Sequence, residues 1–244
     1  MLTTKLPQEL PKWLKTAHQQ NDEMKIQALL NQHNLIDIED HTFKDILNHE
    51  SVVLDLGGWR GNFAAQINSK YGCEVHVFEP NQKQIVILND RFADNEKIHV
   101  HPYAVGGVDE YVKFYPSPED YPGQEKGSSL LSASPYVDDA FAYDVTKLSL
   151  ASASKKMGID SFDLIKMDIE GGEFELFNDV HSVDFLKTAK MLSVEFHFKM
   201  PVNEQILISE EDINRMIGDL RQGGFEYLDF GRNFQYIDCL FYKI

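Results

Sequence analysis

The chain alternates between short apolar runs and segments in which apolar residues recur with helical spacing. Continuous apolar runs, typical of strands buried on both faces of a sheet, begin at position 51 with SVVLDLGG and recur as CEVHVFE, KIHVH, FDLIKMD and AKMLSVEFH. Helices are predicted between these runs at about 62–70, 82–92, 150–157 and 172–178. Strands and helices that alternate at this spacing predict an α/β fold with a mostly parallel sheet and helices on both faces.

Three regions depart from this alternation. Residues 1–50 are polar, with apolar positions that fit one face of a helix, so a helical leader is predicted to precede a domain at 51–244. The stretch from about 104 to 143 is rich in Pro, Gly and Ser and predicts a long excursion, a kind of segment that often forms lids or binding loops. Near the end of the chain, a helix in EEDINRMIGDLRQGG precedes GFEYLDF and FQYIDCLFYKI, which predict a hairpin at one sheet edge.

Composition and charge narrow the classes of partner. The 244 residues are 43% hydrophobic and carry a formal net charge of −16, so the chain can bury a core but repels phosphate backbones and anionic membrane surfaces. Cys73 and Cys239 cannot form a disulfide framework, and no segment approaches the roughly 18 apolar residues of a membrane span. We therefore expect a cytoplasmic protein that binds neither nucleic acid nor membrane.

A glycine-rich segment follows the first buried strand. In VLDLGGWRG, Asp55 stands near the strand end, and Gly57, Gly58 and Gly61 lead into a helix. Ligands of open α/β sheets bind at such strand ends, where glycines let a ligand approach the backbone. The spacing does not match the GxGxxG fingerprint of nicotinamide dehydrogenases, because position 56 is Leu.

An acid also ends the second strand. Glu79 closes CEVHVFE, where a carboxylate can accept hydrogen bonds from both ribose hydroxyls. Together with Asp55 and the glycines, it favours an adenosine ligand without a diphosphate, and S-adenosylmethionine is the common one. Tyr103 and Ala104 follow the third strand, where a ring or a backbone group can contact adenine.

Two later strands end in acids and a histidine. Asp168 and Glu170 share one face of IKMDIEGGE, and Glu195 and His197 share one face of SVEFH. If these strands are neighbours, the four side chains converge on the same crevice. They can supply a general base, with His197 suited by its ordinary pKa. Two alternatives stay open: acids that favour the N-terminus of the following helix, and a site for a divalent cation, which is possible but not favoured.

Three further histidines lie on the second and third strands. His99 and His101 alternate on KIHVH, and His76 lies in the middle of CEVHVFE. A metal cluster of these residues is conceivable, but their separation in sequence favours histidines that are exposed or satisfied by neighbours.

The chain resembles an FkbM-type methyltransferase, a branch of the class I S-adenosylmethionine-dependent enzymes. The resemblance covers roughly residues 50–200 and rests on VVLDLGGWRG, VFEP, GSSLL and DLIKMDIEGGEFELF followed by SVEFH. It implies a Rossmann-like sheet of seven strands with the last strand antiparallel. It also implies O-methylation of a hydroxyl group on a sugar or another small molecule.

The resemblance further implies that Asp55, Gly57 and Gly61 surround the methionine and ribose portions of the cofactor, and that Glu79 binds the ribose hydroxyls. The family usually has Ala-Asn before the variable residue and the last glycine, whereas this chain has GWR at 58–60. No cofactor contact of that asparagine is therefore carried over.

The residues and the resemblance lead to one mechanism and two competing interpretations. In the mechanism, a methyl group passes to an acceptor oxygen, His197 or Asp168 is the general base, and Glu170 and Glu195 orient or bind the acceptor. The competing interpretations are a non-catalytic binding or scaffold domain and an NAD-dependent oxidoreductase. The sequence predicts neither the identity of the acceptor nor the oligomeric state.

Overall fold

The structure, a computed structural model, describes residues 23–117, 128–131, 139–197, 210–231 and 236–243. The strands are β1 Leu35–Ile38, β2 His41–Lys44, β3 Val52–Leu56, β4 Glu74–Phe78, β5 Ile98–His101, β6 Ala104–Gly106, β7 Glu110–Phe114, β8 Tyr143–Ser149, β9 Leu164–Met167, β10 Met191–His197, β11 Phe225–Asp229 and β12 Tyr236–Lys243. The α-helices are α1 Glu23–His33, α2 Asn62–Tyr71, α3 Gln82–Arg91, α4 Leu150–Met157, α5 Glu173–Asn178, α6 Val180–Leu186 and α7 Glu210–Gln222, and a 3₁₀ turn spans Asp139–Phe141.

A seven-stranded sheet forms the centre of the fold. Its strand order is β11-β12-β10-β9-β3-β4-β5. The pairs from β10 to β5 are parallel, whereas β12 runs antiparallel to both β10 and β11. This arrangement confirms the predicted Rossmann-like α/β fold, including the antiparallel last strand and the terminal hairpin.

Alternate residues of the central strands feed two hydrophobic layers, one on each face of the sheet. Leu54 and Ile165 belong to one layer, while Val53 and Leu164 belong to the other, and all four are fully buried. This double burial explains why the strands are continuous apolar runs in the sequence. It also leaves polar side chains of these strands mainly at their ends, where a site can form.

The predicted leader contains a hairpin as well as a helix. After α1, strands β1 and β2 pair through a two-residue turn at Glu39 and Asp40, which have φ angles of 51° and 66°. Such turns usually carry Gly or Asn, so the residues at this turn do not indicate a hairpin. Leu35, Ile38 and Phe43 of the hairpin pack in the same hydrophobic layer as Val53. Residues 1–22 lie outside the described residues, and the boundary at residue 50 stays a prediction.

Two strands of the predicted excursion belong to a small second sheet. β6 pairs in parallel and β7 antiparallel with β8, which begins where the excursion ends. Residues 118–127 and 132–138 of the excursion lie outside the described residues. Helix α6, which the apolar pattern did not predict, begins after Asp179, whose side chain accepts a hydrogen bond from the Ser182 N–H (2.8 Å).

Among the described residues, none of the helices combines the length and the apolar character that crossing a bilayer requires.

Candidate active site

A cleft opens at the carboxyl ends of β3, β4 and β9. Its volume is about 1020 Å³ including the open mouth. The lining includes seven of the residues that the sequence analysis selected, which are Gly57, Gly58, Glu79, Tyr103, Ala104, Asp168 and Glu170. The other four predicted residues, Asp55, Gly61, Glu195 and His197, do not line the part of the cleft that the described residues form. The strand ends therefore meet as predicted, but only some of their side chains face the hollow.

Gly57 and Gly58 allow the backbone of the glycine-rich loop after β3 to lie against the neighbouring strands. Gly57 has φ +84°, and a Cβ atom there would lie 1.8 Å from the Asp168 carbonyl oxygen. A Cβ atom on Gly58 would lie 2.0 Å from Val77 Cγ1. Gly61 serves packing instead, because its Cβ atom would lie 2.6 Å from the ring of Phe92 in the segment after α3. The loop thus forms the floor of the cleft from backbone atoms.

Replacing Gly57 with alanine is expected to destabilise the protein by about 3 kcal/mol or more, because left-handed strain and overpacking against a rigid carbonyl add together. Gly158→Ala is the matched control: Gly158 has φ +71° but no atom within 4 Å of its added Cβ. The control should lose only about 1–2 kcal/mol from strain. Urea unfolding of both variants measures the difference, and equal losses would show that Asp168 does not crowd this position.

A buried ion pair supports the loop from below. Lys166 on β9 and Asp55 on β3 are both buried, and Lys166 Nζ lies 3.2 Å from Asp55 Oδ1. The same ammonium donates to the Gly57 carbonyl oxygen (2.6 Å). Burial raises the pKa of Asp55, although Lys166 opposes the shift. Burial disfavours the charged form of Lys166, but attraction to Asp55 and Asp168 outweighs it and raises the pKa of this ammonium.

This pair gives Asp55 a structural partner. Its carboxylate contacts Lys166 and does not line the part of the cleft that the described residues form, and its predicted contact with the cofactor stays a prediction. Lys166 itself was missed as a functional residue, although a lysine inside an otherwise apolar buried strand is a detectable signal.

Glu79 lies at the cleft wall with both oxygens already oriented. Oε2 accepts a hydrogen bond from the Trp59 N–H (2.9 Å), and Oε1 accepts one from the Asn81 N–H (2.8 Å). Burial raises the pKa of Glu79 to about 7, against the opposing effect of these two donors. The ionised form of a buried carboxylate with unused lone pairs is stabilised by further hydrogen-bond donors.

Asp168, Glu170, Glu195 and His197 converge, as predicted from the neighbouring strands. β9 and β10 pair in parallel, with Val194 opposite Met167. His197 Nε2 lies 3.2 Å from Glu195 Oε1, 3.4 Å from Glu170 Oε2 and 3.9 Å from Asp168 Oδ1. Asp168 and Glu170 line the cleft, while His197 and Glu195 stand behind them.

Glu170 and Glu173 divide the roles that the sequence left open. Glu173, fully buried in the first turn of α5, accepts hydrogen bonds from the Ile169 N–H (2.9 Å) and the Gly171 N–H (3.0 Å). It also lies 3.2 Å from His197 Nδ1. Glu173 therefore fixes the loop at the helix start, while Glu170 adopts φ +52° and faces the cleft.

The surroundings shift the pKa values of His197, Asp168 and Glu170 differently. Burial works against a charged His197, but Glu170 and Glu173 outweigh it and raise the pKa of the imidazole well above its usual value. Burial likewise opposes ionisation of Asp168, yet Lys166 and His41 lower the pKa of its carboxyl group below its usual range. Burial, with the nearby acids, raises the pKa of Glu170 to about 8. The surroundings thus favour the protonated form of His197, and the Glu170 carboxylate takes up a proton more readily than that of Asp168.

The same side chains are close enough to surround a cation. Donor atoms of Asp168, Glu170 and His197 lie within 4.8 Å of one another, as do those of His41, Asp168 and Glu195. Both nitrogens of His197 face carboxylates, Nδ1 that of Glu173 and Nε2 that of Glu195. That a divalent cation is not favoured here stays a prediction.

The hairpin β1-β2 contributes residues that the sequence analysis missed. Glu39 and His41 line the cleft, and His41 Nε2 lies 3.9 Å from Asp168 Oδ2. The His41 ring packs edge-on against Phe63 at 5.7 Å between centroids. Nothing in the polar leader signals this placement, because it depends on how the hairpin packs against the sheet.

Comparison with known proteins gives matches to methyltransferases. A curated "Probable ribosomal RNA small subunit methyltransferase A" from Methanococcoides burtonii is 39% identical over 56 residues, which are 23% of this chain and 20% of that protein. The crystal structure of methyltransferase FkbM from Methylobacillus flagellatus KT has a TM-score of 0.52 and 15% identity, covering 80% of this chain and 44% of that one. Fibrillarin from Methanococcus jannaschii has a TM-score of 0.44 and 13% identity, covering 86% of this chain and 81% of that one.

The chain spans one fifth of the curated relative and less than half of the FkbM structure that it matches. The match to the FkbM structure shows a shared fold. A family model described as "Methyltransferase FkbM domain" matches residues 32–227, which is most of the chain and includes the hairpin as well as the central sheet. The chain belongs to the FkbM methyltransferase domain family.

Proposed function

We propose that the protein transfers a methyl group from S-adenosylmethionine to a hydroxyl oxygen of a small molecule or sugar. The observation that carries the proposal is the cleft itself, where a backbone floor at Gly57 and Gly58, the buried Glu79 and the carboxylates of Asp168 and Glu170 face one hollow. Family membership supports the methyl-transfer chemistry.

The residues of the cleft fit this cofactor. Glu79 would accept the ribose hydroxyls, since its carboxylate is buried and has unused lone pairs. Gln84 also lines the cleft, and its buried Oε1 has no hydrogen-bond partner among the described residues, which leaves an acceptor for an amine or hydroxyl. Tyr103 and Ala104 would border the adenine. When bound, the cofactor supplies an electrophilic methyl group on a sulfonium.

The charge of the cleft suits a cationic ligand. Among the described residues, four acids line it, Glu39, Glu79, Asp168 and Glu170, while the Lys166 ammonium contacts Asp55 and the Gly57 carbonyl oxygen. A sulfonium with an ammonium is favoured in this field, and a pyrophosphate is disfavoured. This charge pattern opposes the NAD-dependent alternative.

The geometry favours Glu170 over His197 or Asp168 as the general base. The raised pKa of His197 favours its protonated form, and its side chain does not line the described cleft, while the lowered pKa of Asp168 makes it a weak base. Glu170 lines the cleft, and its pKa of about 8 suits proton transfer near neutrality. In the proposed step, Glu170 Oε2 would accept the proton of an acceptor O–H as that oxygen takes the methyl group, whose bond to the sulfonium sulfur breaks so that a neutral thioether leaves. His197 at 3.4 Å would stabilise the carboxylate before transfer.

Replacing Glu79 with glutamine is expected to weaken S-adenosylmethionine binding about 10- to 100-fold, because hydrogen bonds to a charged acceptor contribute roughly 1.5–3 kcal/mol. Glu96→Gln, at an exposed position, is the matched control and should bind as the parent does. Isothermal titration calorimetry gives both dissociation constants. Thermal unfolding is recorded alongside, since Glu79 also holds two backbone N–H groups. Parental affinity in the Glu79 variant would contradict the ribose role.

RNA is a second candidate acceptor, because the 56-residue match is to a protein named for ribosomal RNA. The net charge of −16 and the acidic cleft oppose it. A screen with methyl-labelled donor against sugars, hydroxylated small molecules and RNA separates the two. Label on RNA alone would overturn the small-molecule assignment. Donor binding without transfer to any acceptor would favour the binding or scaffold alternative.

A further inference from the structure

A second cluster of chemistry-bearing side chains lies at the edge of the central sheet, outside the cleft. Glu74 and His76 share one face of β4, and His99 stands opposite His76 on the edge strand β5. Glu74 and His76 precede Glu79 by five and three residues, so their backbone positions lie about 16 and 10 Å along the chain from the cleft wall. The parallel pairing brings together histidines whose separation in sequence had argued against a cluster.

We infer that Glu74, His76 and His99 form a binding site for a divalent transition metal, with zinc as the best match. Glu74 Oε1 lies 3.0 Å from His76 Nε2 and 3.2 Å from His99 Nε2. Zinc bonds of about 2.0–2.1 Å in tetrahedral geometry place neighbouring donors about 3.3 Å apart. The three donor atoms all lie within 4.8 Å of one another, so small rotations of the half-exposed side chains close the site.

The surroundings of His76 orient its ring for this role. His76 Nδ1 lies 3.0 Å from His101 Nε2, which leaves Nε2 directed at Glu74. His101 is itself stacked on Phe78, with ring centroids 4.5 Å apart. A partner on the second ring nitrogen is the usual way in which proteins orient a metal-binding imidazole.

The exposure of the cluster gives the ion an entry path. Side chains of His99 and Glu74 are 41% and 42% exposed, whereas His76 is 6% exposed. Three protein donors leave a fourth position for water. Two imidazoles with one carboxylate select zinc, cobalt, nickel or copper over magnesium and calcium, which prefer oxygen donors. A bound ion would join β4 to the edge strand, and β5 leads directly to Tyr103 at the cleft.

Zinc titration of the full chain by calorimetry tests the site. It is carried out in the Asp168→Asn background, because Asp168 belongs to both groups of possible cation ligands in the cleft. One equivalent of zinc should bind and raise the melting temperature. His99→Gln and Glu74→Gln, both at half-exposed positions, should each weaken binding by about 100-fold or more, and His101→Phe by about 10- to 100-fold. His181→Gln, at an exposed histidine of α6, is the control that retains binding.

Cobalt gives a second readout, because visible absorption bands typical of four-coordinate cobalt should appear with the parent and disappear with His99→Gln. Circular dichroism checks that each variant is folded. The inference is overturned if the Asp168→Asn protein binds no zinc, or if adding His99→Gln or Glu74→Gln leaves its zinc affinity unchanged. Since the cluster is separate from the cleft, neither result depends on whether the protein methylates an acceptor.

Discussion

Replacing Glu170 with glutamine should lower the turnover number by about 10²- to 10⁴-fold, the usual contribution of a general base, while S-adenosylmethionine affinity changes little. The amide has the same shape but cannot take up the acceptor proton. In free-energy terms the loss is roughly 3–5 kcal/mol of transition-state stabilisation. Turnover is measured with an acceptor from the labelled-methyl screen, and donor affinity by calorimetry.

The pH profile distinguishes a base from a residue that only shapes the cleft. Glu170 is active as a carboxylate, and its fraction in that form increases as the pH rises through about 8. The parental rate should therefore climb about tenfold per pH unit below that value and level off above it. Glu170→Gln should remove this dependence. Glu195→Gln, which removes a neighbour of His197 outside the described lining, should retain the dependence with its midpoint at lower pH, because Glu195 contributes to the raised pKa of Glu170.

Two outcomes would reject this assignment. If Glu170→Gln turns over as fast as the parent, another residue is the general base. Loss of the pH dependence in His197→Gln, with the dependence unchanged in Glu170→Gln, would identify the imidazole as the base after all.

Replacing Lys166 with methionine should destabilise the fold by about 3–5 kcal/mol, because it leaves the buried Asp55 carboxyl group without its cation. It also deprives the Gly57 carbonyl oxygen of its donor at 2.6 Å. Urea unfolding measures the loss. Lys190→Met is the matched control, since Lys190 pairs with Asp163 at 2.6 Å but is 67% exposed. An exposed pair contributes about 0–1 kcal/mol.

The pH dependence of this loss has a definite sign. Without Lys166, the pKa of Asp55 in the folded protein rises further, so folding retains a proton that the unfolded chain releases at neutral pH. The deficit of Lys166→Met should therefore grow as the pH rises above the unfolded pKa of aspartate and shrink in acid. Adding Asp55→Ala should recover part of the stability at neutral pH. A loss as small as that of Lys190→Met would show that the pair does not stabilise the loop.

The succession of apolar runs was sufficient to predict the sheet. Strands such as β3 and β9 are buried on both faces, so their composition alone distinguishes them from helices and exposed strands. The carboxyl ends of parallel strands lie at one edge of the sheet. The sequence therefore also predicted that Glu79, Asp168 and Glu170 lie close together. The hairpin β1-β2 was not predictable in this way, since its turn at Glu39 and Asp40 lacks the residues that usually adopt positive φ angles.

The amino-acid sequence by itself determined the fold, the cleft edge and the residue types gathered there. Only the tertiary structure decided what each group does, because a pKa depends on burial and on charges brought close through space. The sequence favours His197 or Asp168 as a base, whereas the structure packs the His197 ring among carboxylates that raise its pKa. Strand register likewise joined His76 to His99, a contact that no local pattern encodes.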